Sequence, residues 1–443
     1  MRTNHILATA VLATFAAVLP AAAQNLVIVS IGDSLAAGEG NPNSFSLAGA
    51  VWSNTPCHRS VNNGRRFASD RINNLSGVST SFFDFSCSGA GIDAGLLGPQ
   101  TTDQPDANNG TRLAQIDQVA NFQRTGLNNQ PIDILMVSIG VNDANFAPVV
   151  TACLLPTSCT NSTEMNTARA VIGSAAFANA YDRLGAAIRQ RLNVRQVYIT
   201  EYPNLVTSAP NNFCGSSALD AGDASMVGIS STESEFVRTN FIVPLNDKVQ
   251  AAAGRNGWRF VVGPEDTFAT HGYCTDSDRR YVNTLQDSVL RQGNQNGTVH
   301  PNINGHRAYA DALIRQATID FNLHLEAPRR VRTVETNTIT PGPIADSGPK
   351  VITVEVAQHP GTLTVTLQHR VITPFLPVPA FTNTAMADTG AGRLNLFAAT
   401  LPGFIPGQTV QYRVVMTATR NGETATTTTS TASISVGDGL VQQ

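Results

Sequence analysis

Lysine is almost missing from this chain: Lys248 and Lys350 are the only two, so arginine carries nearly all the positive charge. Charged residues make up 14% of the sequence and almost cancel, 29 Lys plus Arg against 32 Asp plus Glu, for a formal net charge of −3. With no basic face there is no electrostatic footprint for a nucleic acid, and no such partner is expected. Metal signatures are lacking as well. The pair Cys153 and Cys159 has no second ligand cluster near it, so neither a zinc site nor any other metal or cofactor is expected. Aromatics are sparse at 6%, and both tryptophans, Trp52 and Trp258, fall in the first three quarters of the chain, which leaves no aromatic row for a sugar-binding face near the end. After the opening residues no apolar run reaches the length of a membrane span.

The opening itself is different. Met1 to Ala23 holds Arg2, an apolar run from Ile6 to Leu19, Pro20 and then three alanines before Gln24. That run is short for a bilayer and ends in the small residues a signal peptidase requires, so residues 1–23 are expected to be a signal peptide and the mature protein secreted or periplasmic. An even number of cysteines, at 57, 87, 153, 159, 214 and 274, then implies disulfides. Six cysteines allow many pairings. The simplest joins sequence neighbours: Cys57 with Cys87, Cys153 with Cys159, Cys214 with Cys274.

Over 400 residues remain after Ala23, more than one core usually supports, and the composition divides them. From 24 to 326, β-type runs (Leu26–Val29, Ser81–Phe85, Ile132–Ile139, Gln196–Thr200, Arg259–Val262) alternate with helical patterns near 113–124, 163–191, 232–253 and 304–323. Such alternation predicts a parallel sheet covered on both faces. Residues 327–350, with Pro328, Pro341, Gly342, Pro343 and Pro349, read as a linker. From 351 to 443 the pattern turns to short β segments at 351–356, 362–367, 410–417 and 424–436, with Asn421-Gly422 as a hairpin turn, and a β-sandwich is expected.

Chemistry concentrates where the first three strands end. The run Gly32-Asp33-Ser34-Leu35, followed by Gly38 and Gly40, suits a tight strand-to-helix turn that exposes Ser34 and its N–H. Cys87-Ser88-Gly89 and Gly140-Val141-Asn142-Asp143 end the next two strands; a glycine N–H and an asparagine amide are neutral donors suited to an oxyanion. His300-Pro301-Asn302 precedes a helix, and a neutral imidazole there can act as base toward a hydroxyl. Each segment also has a plainer reading, as a helix cap, a turn glycine or an Asx turn, and His306 competes with His300 as the base.

Jointly the four segments resemble the SGNH hydrolases, also called GDSL lipases and esterases, over about residues 24 to 325. The resemblance implies a three-layer α/β/α, flavodoxin-like domain. It implies Ser34 as nucleophile, the N–H groups of Ser34 and Gly89 with the Asn142 side chain as oxyanion hole, His300 as general base, and supporting roles for Asp33 and Asp143. The sequential disulfides also look like those of secreted members from filamentous soil bacteria. One departure stands out: the family usually carries an aspartate three residues before the histidine, and here that residue is Gly297. A backbone carbonyl, of Gly297 or Thr298, is then the candidate that orients His300, with Asp287 or Asp276 as distant acids.

The expected activity is hydrolysis of carboxylic esters, lipid or small acylated molecules. Deacetylation of a polysaccharide and a catalytically silent binding protein are the alternatives. Leu401-Pro402-Gly403 and the strand holding Tyr412 resemble the tyrosine corner of fibronectin type III domains, so the second domain is expected to be Ig-like, a spacer or a contact to a surface or polymer.

Overall fold

The computed structural model describes residues 24–46, 49–102, 110–153, 158–209, 211–215, 229–337, 349–390, 395–401, 403 and 408–435. The expected signal peptide at 1–23 lies outside these residues. Strands β1 (Gln24–Gly32), β2 (Val78–Asp84), β3 (Ile132–Ser138), β4 (Val194–Thr200) and β5 (Arg259–Val261) form one sheet in the order β5-β4-β3-β1-β2. All neighbours run parallel. β3 is buried along its whole length, which is why Ile134 to Val137 read as a continuous apolar run instead of an alternating one.

Period two sorts the strand side chains between two cores. Val29, Ile31, Leu135 and Val137 point to one face and pack with Tyr181 and Leu184 of the Ala175–Arg191 helix and Leu245 and Val249 of the Val243–Asn256 helix. Ile28, Ile134 and Met136 point to the other, against Ala68 and Ile72 of the Gly64–Asn73 helix and Leu313 and Ala317 of the Ile303–Phe321 helix. The chain leaves β1 toward β2 on one side and returns to β3 on the other. That reversal opens a crevice at the carboxyl ends of β1 and β3.

Two expected helices are interrupted. The run over 163–191 is two helices, Thr163–Gly173 and Ala175–Arg191, because Ser174 takes an extended conformation and its Oγ caps the second by accepting the Phe177 N–H at 3.1 Å. The run over 232–253 widens to a π-turn at Arg238–Ile242 just before Pro244, whose missing N–H cannot continue the ordinary ladder.

The C-terminal region is a sandwich of antiparallel sheets, one built on Lys350–Val356 and Leu396–Leu401, the other on Thr362–Ile372 and Thr409–Arg420. Ile352, Val354, Leu367, Val414 and Met416 fill the space between them. Asn421 and Gly422, at φ 51 and 81, turn Thr409–Arg420 back into Glu423–Thr428. One expectation fails here. Within the stretch read as linker, Arg330–Asn337 is a strand of this domain, paired antiparallel with Lys350–Val356. It contains neither proline nor glycine and carries Val331, Thr333, Val334 and Thr336, so local β preference outweighs the flanking prolines. The Tyr412 hydroxyl meets the Glu335 carboxylate on that strand, not the backbone contact of a tyrosine corner. The two domains also touch: Glu355, which accepts from Arg332 of its own domain at 2.8 Å, accepts from His271 of the first at 3.1 Å, and Asp311 joins Arg71 to Arg329 just before the Arg330–Asn337 strand.

Candidate active site

β1 ends where a side chain cannot fit. A Cβ on Gly32, at φ 142, would lie 2.2 Å from the Ser138 carbonyl oxygen, so only glycine lets the turn pass the end of β3. Gln115 grips this glycine from both sides, accepting its N–H at 2.7 Å and donating to its carbonyl at 2.9 Å. Buried Asp33 caps the short helix Ser34–Ala37 by accepting the Leu35 N–H at 3.1 Å, and Gly38 closes it with an N–H to the Ser34 carbonyl at 3.0 Å. Ser34 is left partly exposed on the crevice.

His300 arrives from a distant loop. Its Nε2 lies 2.7 Å from Ser34 Oγ, and its Nδ1 lies 3.2 Å from the Thr298 carbonyl oxygen. A carbonyl only accepts, so Nδ1 carries the hydrogen and the Nε2 lone pair faces the serine hydroxyl. The Gly297 carbonyl instead accepts the backbone N–H of His300 at 3.1 Å. Burial lowers the His300 pKa from its ordinary 6.5, against the opposing charge of Glu39.

Among the described residues no carboxylate hydrogen-bonds to His300. Asp287 completes a capping box with Thr284, and Asp276 pairs with Arg279. Position 297 has no room for one, since a Cβ there would lie 2.5 Å from Gly40 Cα. Val299 sits at φ 58, a strained conformation for a β-branched residue. It is held by two backbone bonds to Asn283: the Val299 N–H donates to the Asn283 carbonyl at 3.0 Å, and the Asn283 N–H donates to the His300 carbonyl at 2.8 Å.

Of the remaining sequence-selected residues, Gly89, Asn142 and Asp143 meet where the turns after β2 and β3 approach each other, and His306 lies apart. Gly89, at φ 81, follows the Cys57–Cys87 disulfide. The Asn142 amide donates to the Ala90 carbonyl at 2.8 Å and so ties the end of β3 to the Gly89 turn, with its second N–H left over for another acceptor. Asp143 accepts the Ile92 N–H at 3.0 Å on that turn, and burial raises its pKa. His306 stays out of contact with Ser34: it is fully buried, accepts the Gly64 N–H at 3.2 Å, and burial together with Arg65 pushes it down to about 3. The other two disulfides are Cys153–Cys159 and Cys214–Cys274.

Several neighbours were not singled out from sequence. Tyr202, just past β4, donates to Asp33 at 2.7 Å and accepts the Val141 N–H at 3.2 Å. Gln115 on the Gln115–Thr125 helix belongs with it, as do Glu39 and Gln292. Gly38-Glu39-Gly40 was visible as a motif, but nothing local shows where its carboxylate goes. In front of Ser34 and His300 lies a hollow walled by Leu35, Val141, Pro203 and Leu245. Phe146, Leu205, Phe241, Ile242 and Val299 wall both this hollow and an adjoining apolar one that continues to Val149 and Val150. A polarised hydroxyl, neutral donors and an apolar slot suit acyl transfer from an ester.

No curated protein matches the chain. Among solved structures, the extracellular lipase of Streptomyces rimosus is 22% identical with a TM-score of 0.43, over 65% of this chain and 98% of that one. Phospholipase A1 of Streptomyces albidoflavus NA297 is 19% identical with a TM-score of 0.44, over 65% of this chain and 97% of that one. Residues 30–308, the stretch that runs from the end of β1 past His300, match the model of the GDSL-like lipase/acylhydrolase family. This chain therefore belongs to the GDSL-like lipase/acylhydrolase family and is a hydrolase of the lipase and esterase type.

Proposed function

We propose that this hydrolase is an exported serine esterase that cleaves carboxylic esters of extended acyl chains, with Ser34 as nucleophile and His300 as general base. The observation that carries the reading is the 2.7 Å approach of Ser34 Oγ to His300 Nε2 at the mouth of an apolar slot. As Oγ attacks the ester carbon, its proton passes to Nε2. The tetrahedral oxyanion takes the N–H groups of Ser34 and Gly89 and the free N–H of Asn142. The imidazolium then protonates the departing alcohol, leaving an acyl group on Oγ. Water, deprotonated by the same nitrogen, attacks that acyl group, and the acid leaves as Ser34 regains its hydrogen.

The slot supports acyl esters over acetylated sugars. Its shared walls are aliphatic and aromatic, and they offer little to a polysaccharide's hydroxyls. Export is supported by the opening apolar run with its terminal alanines and by three disulfides, which persist in oxidising compartments.

The test is hydrolysis of p-nitrophenyl esters from acetate to laurate, with fluorophosphonate labelling. Wild type should turn over medium and long esters, and its Ser34 should be labelled. Ser34→Ala and His300→Ala should each lose about 10³-fold or more in kcat, as removal of a nucleophile or base does. Equal inactivity of all three proteins on every ester, with no label on Ser34, would sink the reading.

A further inference from the structure

Glu39 is a buried carboxylate, 2% exposed, that the chemistry above leaves unused. It sits one turn after Ser34, its own N–H donating to the Ser34 carbonyl at 3.1 Å. Three side chains donate to its two oxygens: His58 Nδ1 at 2.8 and 2.9 Å, Ser88 Oγ at 2.6 Å and Gln292 Nε2 at 2.9 Å. Burial pushes this carboxyl up, but the His58 bond and charge, then the charge of His300, bring it below its ordinary 4.5. It is therefore ionised at neutral pH.

Each donor belongs to a segment that borders the Ser34 centre. Ser88 directly precedes Gly89. Gln292 also accepts the Gly40 N–H at 2.9 Å, and Gly40 packs against Gly297, three residues before His300. His58 is fully buried, stacked on Trp52 with ring centroids 4.3 Å apart. A carboxylate so enclosed could be replaced by a neutral group with the same shape unless its charge has a use.

When Ser34 gives its proton to His300, an imidazolium forms in a partly buried site, and the Thr298 carbonyl supplies only a dipole. We propose that Glu39 is an electrostatic positioning residue: clamped by His58, Ser88 and Gln292, its carboxylate is the counter-charge that stabilises the His300 imidazolium without touching it. This rests on the Ser34–His300 reading given above. The other titratable groups near His300 do not supply that charge. His306 is held neutral, Asp33 is offset by Arg65, Asp287 is turned to Thr284 and Arg280, and His58 opposes Glu39.

That opposition gives a test with two signs. Glu39→Gln keeps the size and removes the charge, whereas His58→Gln keeps the charge and removes the imidazole that counters it. The readout is the rate of Ser34 labelling by a fluorophosphonate against pH, in the full chain, with folding checked by circular dichroism. The midpoint of the acidic limb should fall by about 0.5 to 1 pH unit in Glu39→Gln, with kcat/KM for a p-nitrophenyl ester down about 10-fold, and should rise in His58→Gln. A merely structural role would lower the plateau and leave the limb in place. Folded variants whose midpoints stay at the wild-type value, or move the same way, overturn the proposal. Should Glu39→Gln not fold, His58→Gln decides alone, and a midpoint that fails to rise overturns it. Wild-type protein whose Ser34 takes no label would instead refute the underlying reading.

Discussion

The Tyr202 hydroxyl donates to Asp33 at 2.7 Å while accepting the Val141 N–H at 3.2 Å, so a single oxygen fastens the turn under Ser34 to the loop that carries Asn142. All three groups are buried or nearly so. Tyr202→Phe would leave a buried N–H and a buried carboxyl each short of a partner. The expected cost is about 1 to 3 kcal/mol of stability, read from urea unfolding. Activity should fall less than about 10-fold at 25 °C, because the hydroxyl is taken up by Asp33 and the Val141 N–H, although the residue borders the slot. A loss of activity near that of Ser34→Ala would mean the hydroxyl touches the reacting atoms.

Asp33 itself should make stability depend on pH. Burial raises its carboxyl from 3.8 to about 6, against the Tyr202 bond and the charge of Arg65. The folded protein thus holds this proton more tightly than the unfolded chain does. The stability it contributes is complete below about pH 4 and is lost as pH rises through 6. Two units correspond to about 3 kcal/mol. Asp33→Asn cannot lose a proton, so relative to wild type it should gain up to about 3 kcal/mol between pH 4 and pH 7, whatever its offset at pH 4. Parallel urea midpoints across that range would show that Asp33 is ionised in the fold at low pH.

Gly297→Asp places a carboxylate at the position where the family resemblance expects one, and it should harm the protein. Its Cβ would meet Gly40 Cα at 2.5 Å and both Gln292 Oε1 and Ser288 Oγ at 3.0 Å. Overpacking of this kind costs about 1 to 3 kcal/mol and shifts the backbone that orients His300. Both Tm and kcat should drop, and Gly297→Ala should show most of the same loss. A Gly297→Asp enzyme more active than wild type would show that the loop relaxes to admit the acid.

What could be read from sequence was what leaves a local mark. β3 is legible because five of its seven residues are apolar and all are buried, and the Ser34 turn because Gly32 and Gly38 must adopt conformations that other residues avoid. The Arg330–Asn337 strand was hidden by the prolines around it, and its pairing with Lys350–Val356 is a tertiary decision. The Glu39 cluster is less visible still. Glu39 and Gln292 are 253 residues apart, and neither carries a periodicity or spacing that points to the other. Tyr202 is hidden for the same reason, since 169 residues separate it from Asp33.

The Cys57–Cys87 disulfide spans 30 residues and joins the His58 turn to the Gly89 turn. Replacing both cysteines by alanine should cost about 3 to 4 kcal/mol from restored loop entropy in the unfolded chain. The Ser88 N–H still donates to the Cys57 backbone carbonyl at 3.1 Å, so the local geometry has a second tie. The double variant should therefore lose Tm far more than it loses kcat at 25 °C. Equal proportional losses would mean the bond itself sets the position of Gly89.

The end of the apolar slot away from Ser34 offers a way to separate acyl length from catalysis. Val150 lines the adjoining hollow and is absent from the walls around Ser34 and His300. Val150→Trp should fill that end and leave the reacting atoms alone. Each methylene denied burial forfeits about 0.8 kcal/mol, so excluding three of them should lower kcat/KM for a laurate ester by about 50-fold. The acetate ester, which never reaches Val150, should be cleaved at the wild-type rate. Because a uniform loss across chain lengths would point to a misfolded site, the ratio of the two esters is the quantity to measure. An unchanged ratio in a folded variant would show that the acyl chain leaves the centre by another route.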